Sequence, residues 1–287
     1  MQIIADYFST ISSLHRGLIL AGGIAIFWLI EGIWPLVTLE YKKWNHAWLN
    51  IFFTITTIIV NFLLAFLLLM SAKWATDNQF GLLQWLPVMP LWLFAIVGLL
   101  LLDLIGAYLV HLIQHKTKWM WRFHLIHHTD TWVDTTSANR HHPGESVIRF
   151  VFTVAGVVLT GSPMWLVFLY QSASVVFSQF SHANISLNPK LDKIISFVFV
   201  SPNMHKVHHH YVLPYTDSNY GNIFSIWDRM FGTFMTLDPH EIRYGVDTHL
   251  MPEQHNKLVN LLAIPFKKYR SPQPIEQRKK FSKQPYK

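Results

Sequence analysis

The chain has 287 residues, 51% of them hydrophobic and 14% charged, with 17 histidines, no cysteine and a formal net charge of +7. So low a charged fraction suits an integral membrane protein better than a soluble domain, where about a quarter is usual, and the lack of cysteine excludes disulfides, thiolate metal sites and cysteine nucleophiles. Any bound metal must use imidazole, carboxylate or amide ligands.

Three uncharged or nearly uncharged runs precede the first histidine cluster, each near the roughly 20 residues a helix needs to span a bilayer. They are LILAGGIAIFWLIEGIWPLV (18–37), with Glu31 toward its end, IFFTITTIIVNFLLAFLLLMSA (51–72), and FGLLQWLPVMPLWLFAIVGLLLL (80–102), with Pro87 and Pro90 near its start. A fourth apolar region, 147–180, is broken by GSP at 161–163. It is too long for one ordinary span, and the Gly and Pro predict a tight hairpin that returns the chain to its starting side. LDKIISFVFV (191–200) is too short to cross and is read as interfacial.

With three spans and a hairpin, Lys42 and Lys43, the cluster Lys116, Lys118 and Arg122, and the basic tail share one face. The positive-inside rule makes that face cytoplasmic and puts the N-terminus outside. The start shows no cleavable signal peptide pattern. The positive charge is assigned to anionic lipid heads and not to nucleic acid. The polar stretch 266–287 reads as a loosely ordered tail. Three regions result: N-terminal membrane helices (1–110), a histidine-rich region containing the hairpin (111–240), and a C-terminal segment with the tail (241–287).

The histidines are not scattered. His111 and His115 are four apart, so on a helix they share a face. His124, His127 and His128 crowd one side of a helix, and His205, His208 and His209 repeat their spacing. Eight neutral imidazoles side by side have no advantage over Leu or Gln, and protonated they repel one another; metal binding resolves both problems. A single zinc takes about four ligands, so eight to ten imidazoles imply two ions. An all-nitrogen pair with open positions suits iron and dioxygen, although zinc accepts the same ligands.

The sequence resembles the fatty acid hydroxylase and sterol desaturase superfamily of membrane-bound di-metal oxygenases, over about residues 100–235. The resemblance rests on HLIQH (111–115), WRFHLIHH (121–128), RHHPGE (140–145), SHAN (181–184), PNMHKVHH (202–209), DSNYGN (217–222) and WDRMFGT (227–233). It implies as ligands His111, His115, His124, His127, His128, His205, His208 and His209, completed by His142 and His182. His141 and His210 fall where the family does not call for histidine and are read as neighbours. Where the family commonly has HRxxH this chain has Leu112, so a basic side chain near the first box is missing. Because His142 and His182 must share a face, the hairpin becomes a requirement.

Ligating imidazoles normally donate their other N–H to a carboxylate, amide or carbonyl. Glu145 and Asn184 are ranked first for this role, followed by Asp103, Asp217, Asn219 and Asp228; Tyr220 and Trp227 are expected to pack under the metals. No catalytic residue beyond the metal centre is assigned. The expected protein is an all-α membrane bundle with a cytosolic histidine-rich cap, in the bacterial inner membrane. Two irons there would use O2 to hydroxylate, or desaturate, a lipid. The chain has no GxGxxG and no recognisable haem or flavin domain, so electrons are expected from a separate ferredoxin or cytochrome with its reductase. A metal transporter and a catalytically silent lipid-binding protein are the alternatives.

Overall fold

The computed structural model describes residues 1–272 and is helical, with no β-strand beyond three isolated bridges among those residues. Residues 273–287, most of the expected tail, lie outside the described part. A short amphipathic helix α1 (Gln2–Ser9) leads into α2 (Ser13–Ile33), whose first turn is capped by Ser12 accepting from the His15 N–H. An Ncap serine satisfies an amide that helix geometry otherwise leaves bare. Pro35 follows closely and ends the helix short of the apolar run.

Helix α3 (Lys43–Asp77) has 35 residues. It extends the uncharged run at both ends, and its first two turns bring His46 and Asn50 to the histidine-rich face. The expected span 80–102 is divided. Leu82–Trp85 makes a single turn, α4, and Pro90 serves as the Ncap of α5 (Leu91–Asp103). A π-helical turn at Leu104–Tyr108 then joins α5 to α6 (Leu109–Lys116). The first histidine pair therefore rides on the last turns of a continuous 26-residue helix. An inserted π turn rotates the residues that follow it.

Helix α7 (Lys118–His128) folds back on α6, and a loop leads to α8 (Pro143–Thr160) and α9 (Met164–His182). Gly161 makes the turn between them in the left-handed region (φ 69°). Its backbone packs against Gly81, and its carbonyl accepts from Gln84 Nε2 at 2.7 Å. The two arms return to one face as the sequence required, but α5 packs against both. The hairpin is thus splayed around a third helix. Leu68, Leu102, Val157, Leu166 and Val167 fill the stem core.

Four helical stretches are long and apolar enough to cross a membrane: Ser13–Ile33, Lys43–Trp85, Leu91–Lys116 and Pro143–Thr160. Helix α9 runs among them and is more polar, with Gln171, Ser174, Ser178 and Gln179. Phe62, Leu63 and Phe66 are exposed on the outside of α3, as a lipid-facing surface requires. Exposed Trp44 and Trp48 stand near one end of α3 and Trp74 and Trp85 near the other. Trp48 and Trp74 are separated by about 39 Å of helix, a spacing that suits two interfacial belts.

The cap is completed by α10 (Pro189–Val198), α11 (Pro202–His208) and α12 (Ile226–Met230). Helix α10 leaves Leu191, Ile194 and Phe197 exposed and has 10 residues, too few to cross.

Candidate metal centre

The structure sorts the histidines differently from their order in the chain. Atoms of His111, His115, His124, His128 and His208 gather in one buried group, and those of His127, His182, His205 and His209 in a second, each within 4.8 Å. The i, i+4 pairs His111/His115, His124/His128 and His205/His209 each stay together, as one helix face demands. The third histidine of each HxxHH box crosses over: His127 leaves its box for the second group, and His208 leaves its own for the first.

Within the groups the ring nitrogens face one another. Nε2 of His124 lies 3.0 Å from Nε2 of His111 and 3.2 Å from that of His128. In the second group Nε2 of His182 lies 3.2 Å from His127, 3.1 Å from His205 and 3.2 Å from His209. Several outward nitrogens are occupied. His111 Nδ1 donates to the Tyr220 carbonyl at 2.9 Å, His208 Nδ1 to Ser218 O at 2.6 Å and His182 Nδ1 to Ser178 O at 2.7 Å. His124 Nδ1 pairs with Glu145 Oε1 at 2.7 Å and His115 Nδ1 with Asp217 Oδ1 at 3.2 Å.

A ring that donates through Nδ1 presents a bare lone pair at Nε2. Converging lone pairs repel unless a cation lies between them. Metal–nitrogen bonds of 2.0–2.1 Å place neighbouring ligand atoms roughly 3.0–3.4 Å apart, and the observed Nε2 separations fall in that range. Nε2 of His115 and of His208 are buried without any hydrogen-bond partner among the described residues. The residues therefore fit a metal centre on geometry alone.

Burial first, and neighbouring imidazoles second, hold His127, His128, His205 and His208 well below the ordinary histidine range. His209 is held low in the same way, by burial and then by His182. These rings are neutral at physiological pH, the form that binds metal.

His142 is elsewhere. It is the Ncap of α8, where its Nδ1 accepts from the Gly144 N–H at 2.9 Å, and its ring packs on Phe123 and Phe266. The neighbouring His141 is the one that approaches: its Nδ1 is 3.0 Å from Glu145 Oε1, and its ring stacks on His127 with centroids 4.9 Å apart. His210 lies outside both groups, with its Nδ1 accepting from the Arg243 N–H.

The supporting polar residues divide. Glu145 and Asp217 touch histidine nitrogens directly. Asp103 instead accepts from the Ile223 and Phe224 amides and from Trp227 Nε1, each at 3.1–3.2 Å. Asp228 receives the Tyr220 and Gly221 amides, and Asn219 bonds Met204 O and the Met235 backbone. These three tie the 217–228 loop to the stem and α11, so they act on the histidines through backbone. Asn184 donates to Val37 O, next to α2, and makes no histidine contact.

A second buried network supports α7 from behind. His46 lies 2.9 Å from Asp130 and 3.2 Å from Asp134, while Arg140 donates to Ile126 O, Asn50 Oδ1 and His255 O. Burial alone would raise the Asp130 carboxyl, but His46 and Arg140 hold it well below the usual carboxylate range. Sequence spacing gave no sign of this network because its members are scattered from 46 to 255.

A cavity adjoins both groups. It is lined by His111, His124, His127, His182 and His205, and on the stem side by Arg149, Ser178 and Asn222. The fold and site together define a membrane-type helical protein with a polyhistidine centre at one end of its spans.

Comparison with known proteins agrees. Residues 95–233 match the family model described as Fatty acid hydroxylase. It is 25% identical to the ornithine lipid hydroxylase OlsE of Rhizobium tropici, over 79% of this chain and 70% of that protein. It is 28% identical to alkylglycerol monooxygenase of Caenorhabditis elegans, over 44% of this chain but only 24% of that longer protein. Similarity to cholesterol 25-hydroxylase-like protein 1, member 2 of Danio rerio is 26% over 56% of this chain and 58% of that protein. No solved structure matches.

Proposed function

We propose that the protein is a membrane-bound di-iron oxygenase that hydroxylates an unactivated C–H bond of a lipid. The observation that carries this reading is the convergence of nine histidines in two Nε2-facing groups beside a cavity at one end of the membrane stem. Two irons held by those groups would supply the reductive activation of dioxygen and the power to oxidise such a bond. The balance is R–H + O2 + 2 electrons + 2 protons giving R–OH + H2O, with electrons from a separate ferredoxin or cytochrome and its reductase. The chain's own residues hold the ions, keep bulk water out of a buried site and position the lipid.

The apolar stem lets a fatty acyl, alkylglycerol or sterol-like substrate enter sideways from the bilayer. Relatives named as hydroxylases and monooxygenases favour hydroxylation over desaturation. Lys42, Lys43, Lys116, Lys118 and Arg122 stand at the histidine end of the spans, whereas Lys73 is paired with Asp77 at the other. That asymmetry supports a cytoplasmic centre, in a bacterial inner membrane. A transporter needs ligands staged along its path; here they stand at one end, above an apolar core.

The test is expression in an iron-replete bacterial host under 18O2, followed by lipid mass spectrometry, beside a His208→Ala control. A host lipid gaining one labelled oxygen only with the unsubstituted protein is expected. Metal-loaded protein with an active reductase system that labels no lipid would overturn the reading.

A further inference from the structure

Arg149 is the single charged residue between 147 and 180. It lies on α8, six residues after Pro143 and so about 9 Å along the helix from its histidine-side end. An ionisable side chain within a membrane helix is costly and normally has a partner. Glu145, one turn earlier, is engaged by His124 and His141 and forms no ion pair with Arg149. No hydrogen bond or ion pair of the Arg149 guanidinium occurs among the described residues, although its charge reaches His124.

Arginines near helix ends usually extend toward water. Arg149 instead lines the cavity beside the two histidine groups. The residues lining that cavity include no Asp or Glu, and its hydroxyl- and amide-bearing members are Ser178, Ser181, Tyr220 and Asn222. Bound metal ions would add further positive charge. An acidic or oxyanionic guest is what such a cavity attracts, and guanidinium forks bind carboxylate or phosphate through two parallel N–H bonds.

We propose that Arg149 is the anion-binding residue of the substrate cavity, holding the carboxylate or phosphate oxygens of a lipid whose chain lies along the apolar stem. This rests on the lipid hydroxylase reading and narrows it: the substrate carries an oxyanion close to the bond that is oxidised. Carboxylate and phosphate share the required chemistry.

The test is equilibrium binding of radiolabelled hexadecanoate, hexadecyl phosphate and hexadecanol to metal-loaded protein in neutral phosphatidylcholine nanodiscs. In the unsubstituted protein, one anionic probe should bind at least tenfold tighter than hexadecanol, and which one identifies the headgroup chemistry. Arg149→Gln should abolish that preference while hexadecanol binding and metal content hold. Arg149→Lys keeps the charge but loses the fork; it should reduce the preference severalfold and decides the matter if Arg149→Gln fails to fold. No anion preference in the unsubstituted protein, or an undiminished one in both variants, overturns the proposal. Binding does not depend on turnover. Intact anion binding without lipid oxidation would remove the hydroxylase reading alone, and full-rate oxidation of anionic lipid by Arg149→Gln would remove the subsite alone.

Discussion

Nδ1 of His124 and Oε1 of Glu145 lie 2.7 Å apart, both side chains excluded from solvent. The carboxylate fixes the His124 tautomer and turns its Nε2 toward His111 and His128. It also raises the electron density the ring offers a metal. Glu145→Gln keeps the shape and removes the charge, so metal affinity should fall about 10- to 100-fold, read by competition with a calibrated chelator. An unchanged affinity would reduce Glu145 to a packing role.

The sorting of histidines into two groups makes a stoichiometric prediction. His115 belongs only to the first group and His209 only to the second. Elemental analysis of protein purified from iron-replete membranes should give close to two metals per chain. His115→Ala and His209→Ala should each lose about one, and the double variant both. Complete loss in either single variant would mean that the groups fill as one unit.

Much of this arrangement was legible, and the limits are physical. Apolar runs and the Gly161 turn specify a stem whose histidine-bearing ends share a face, since an uncharged 20-residue segment has few alternatives. Helical spacing pairs His124 with His128 and His205 with His209. That His127 and His208 cross to the opposite groups depends on how α7 and α11 face each other, which spacing within one helix does not encode. The carbonyls of Tyr220, Ser218 and Ser178 leave no sequence mark because any residue supplies one. Asn184, which the sequence offers beside Glu145 as a histidine partner, bonds the chain near Val37 instead. Arg149 is not singled out by the apolar pattern of 147–180; only the cavity it lines draws attention to it.

Acidification should destabilise the metal-free protein. His127, His128, His205, His208 and His209 have folded-state values well below the roughly 6.5 of an unfolded chain. Below about pH 6.5 the unfolded chain therefore binds more protons, and stability falls with pH. The unfolding temperature of apoprotein in detergent should be steady above pH 7 and drop between pH 6.5 and 5. Bound metal competes with protons and should move the drop to lower pH. A flat apoprotein profile would show that the rings accept protons without cost.

The turn at Gly161 should tolerate no side chain. Its φ of 69° is in the left-handed region, and an added Cβ would collide with the carbonyl of Phe80 and crowd Gly81. The conformational penalty alone is about 1–2 kcal/mol for a residue with a Cβ. Gly161→Ala should lower thermal stability in detergent by at least that much, with metal content retained in the folded fraction because the turn is at the far end from the histidines. Unchanged stability would mean that the α4 turn moves aside freely.

The adjacent pair His141 and His142 offers the sharpest contrast between resemblance and geometry. The family pattern assigns the ligand role to His142, but that ring caps α8 and packs on Phe123. His141 contacts Glu145 and stacks on His127. Replacing a capping side chain by alanine typically costs about 1 kcal/mol, so His142→Ala should lose modest stability and keep its metal. His141→Ala should weaken metal retention, because it disturbs the carboxylate behind His124 and the ring beside His127 together. Chelator competition on the two purified variants separates the roles. Metal loss in His142→Ala with retention in His141→Ala would restore His142 as a ligand and require the start of α8 to rearrange when metal binds.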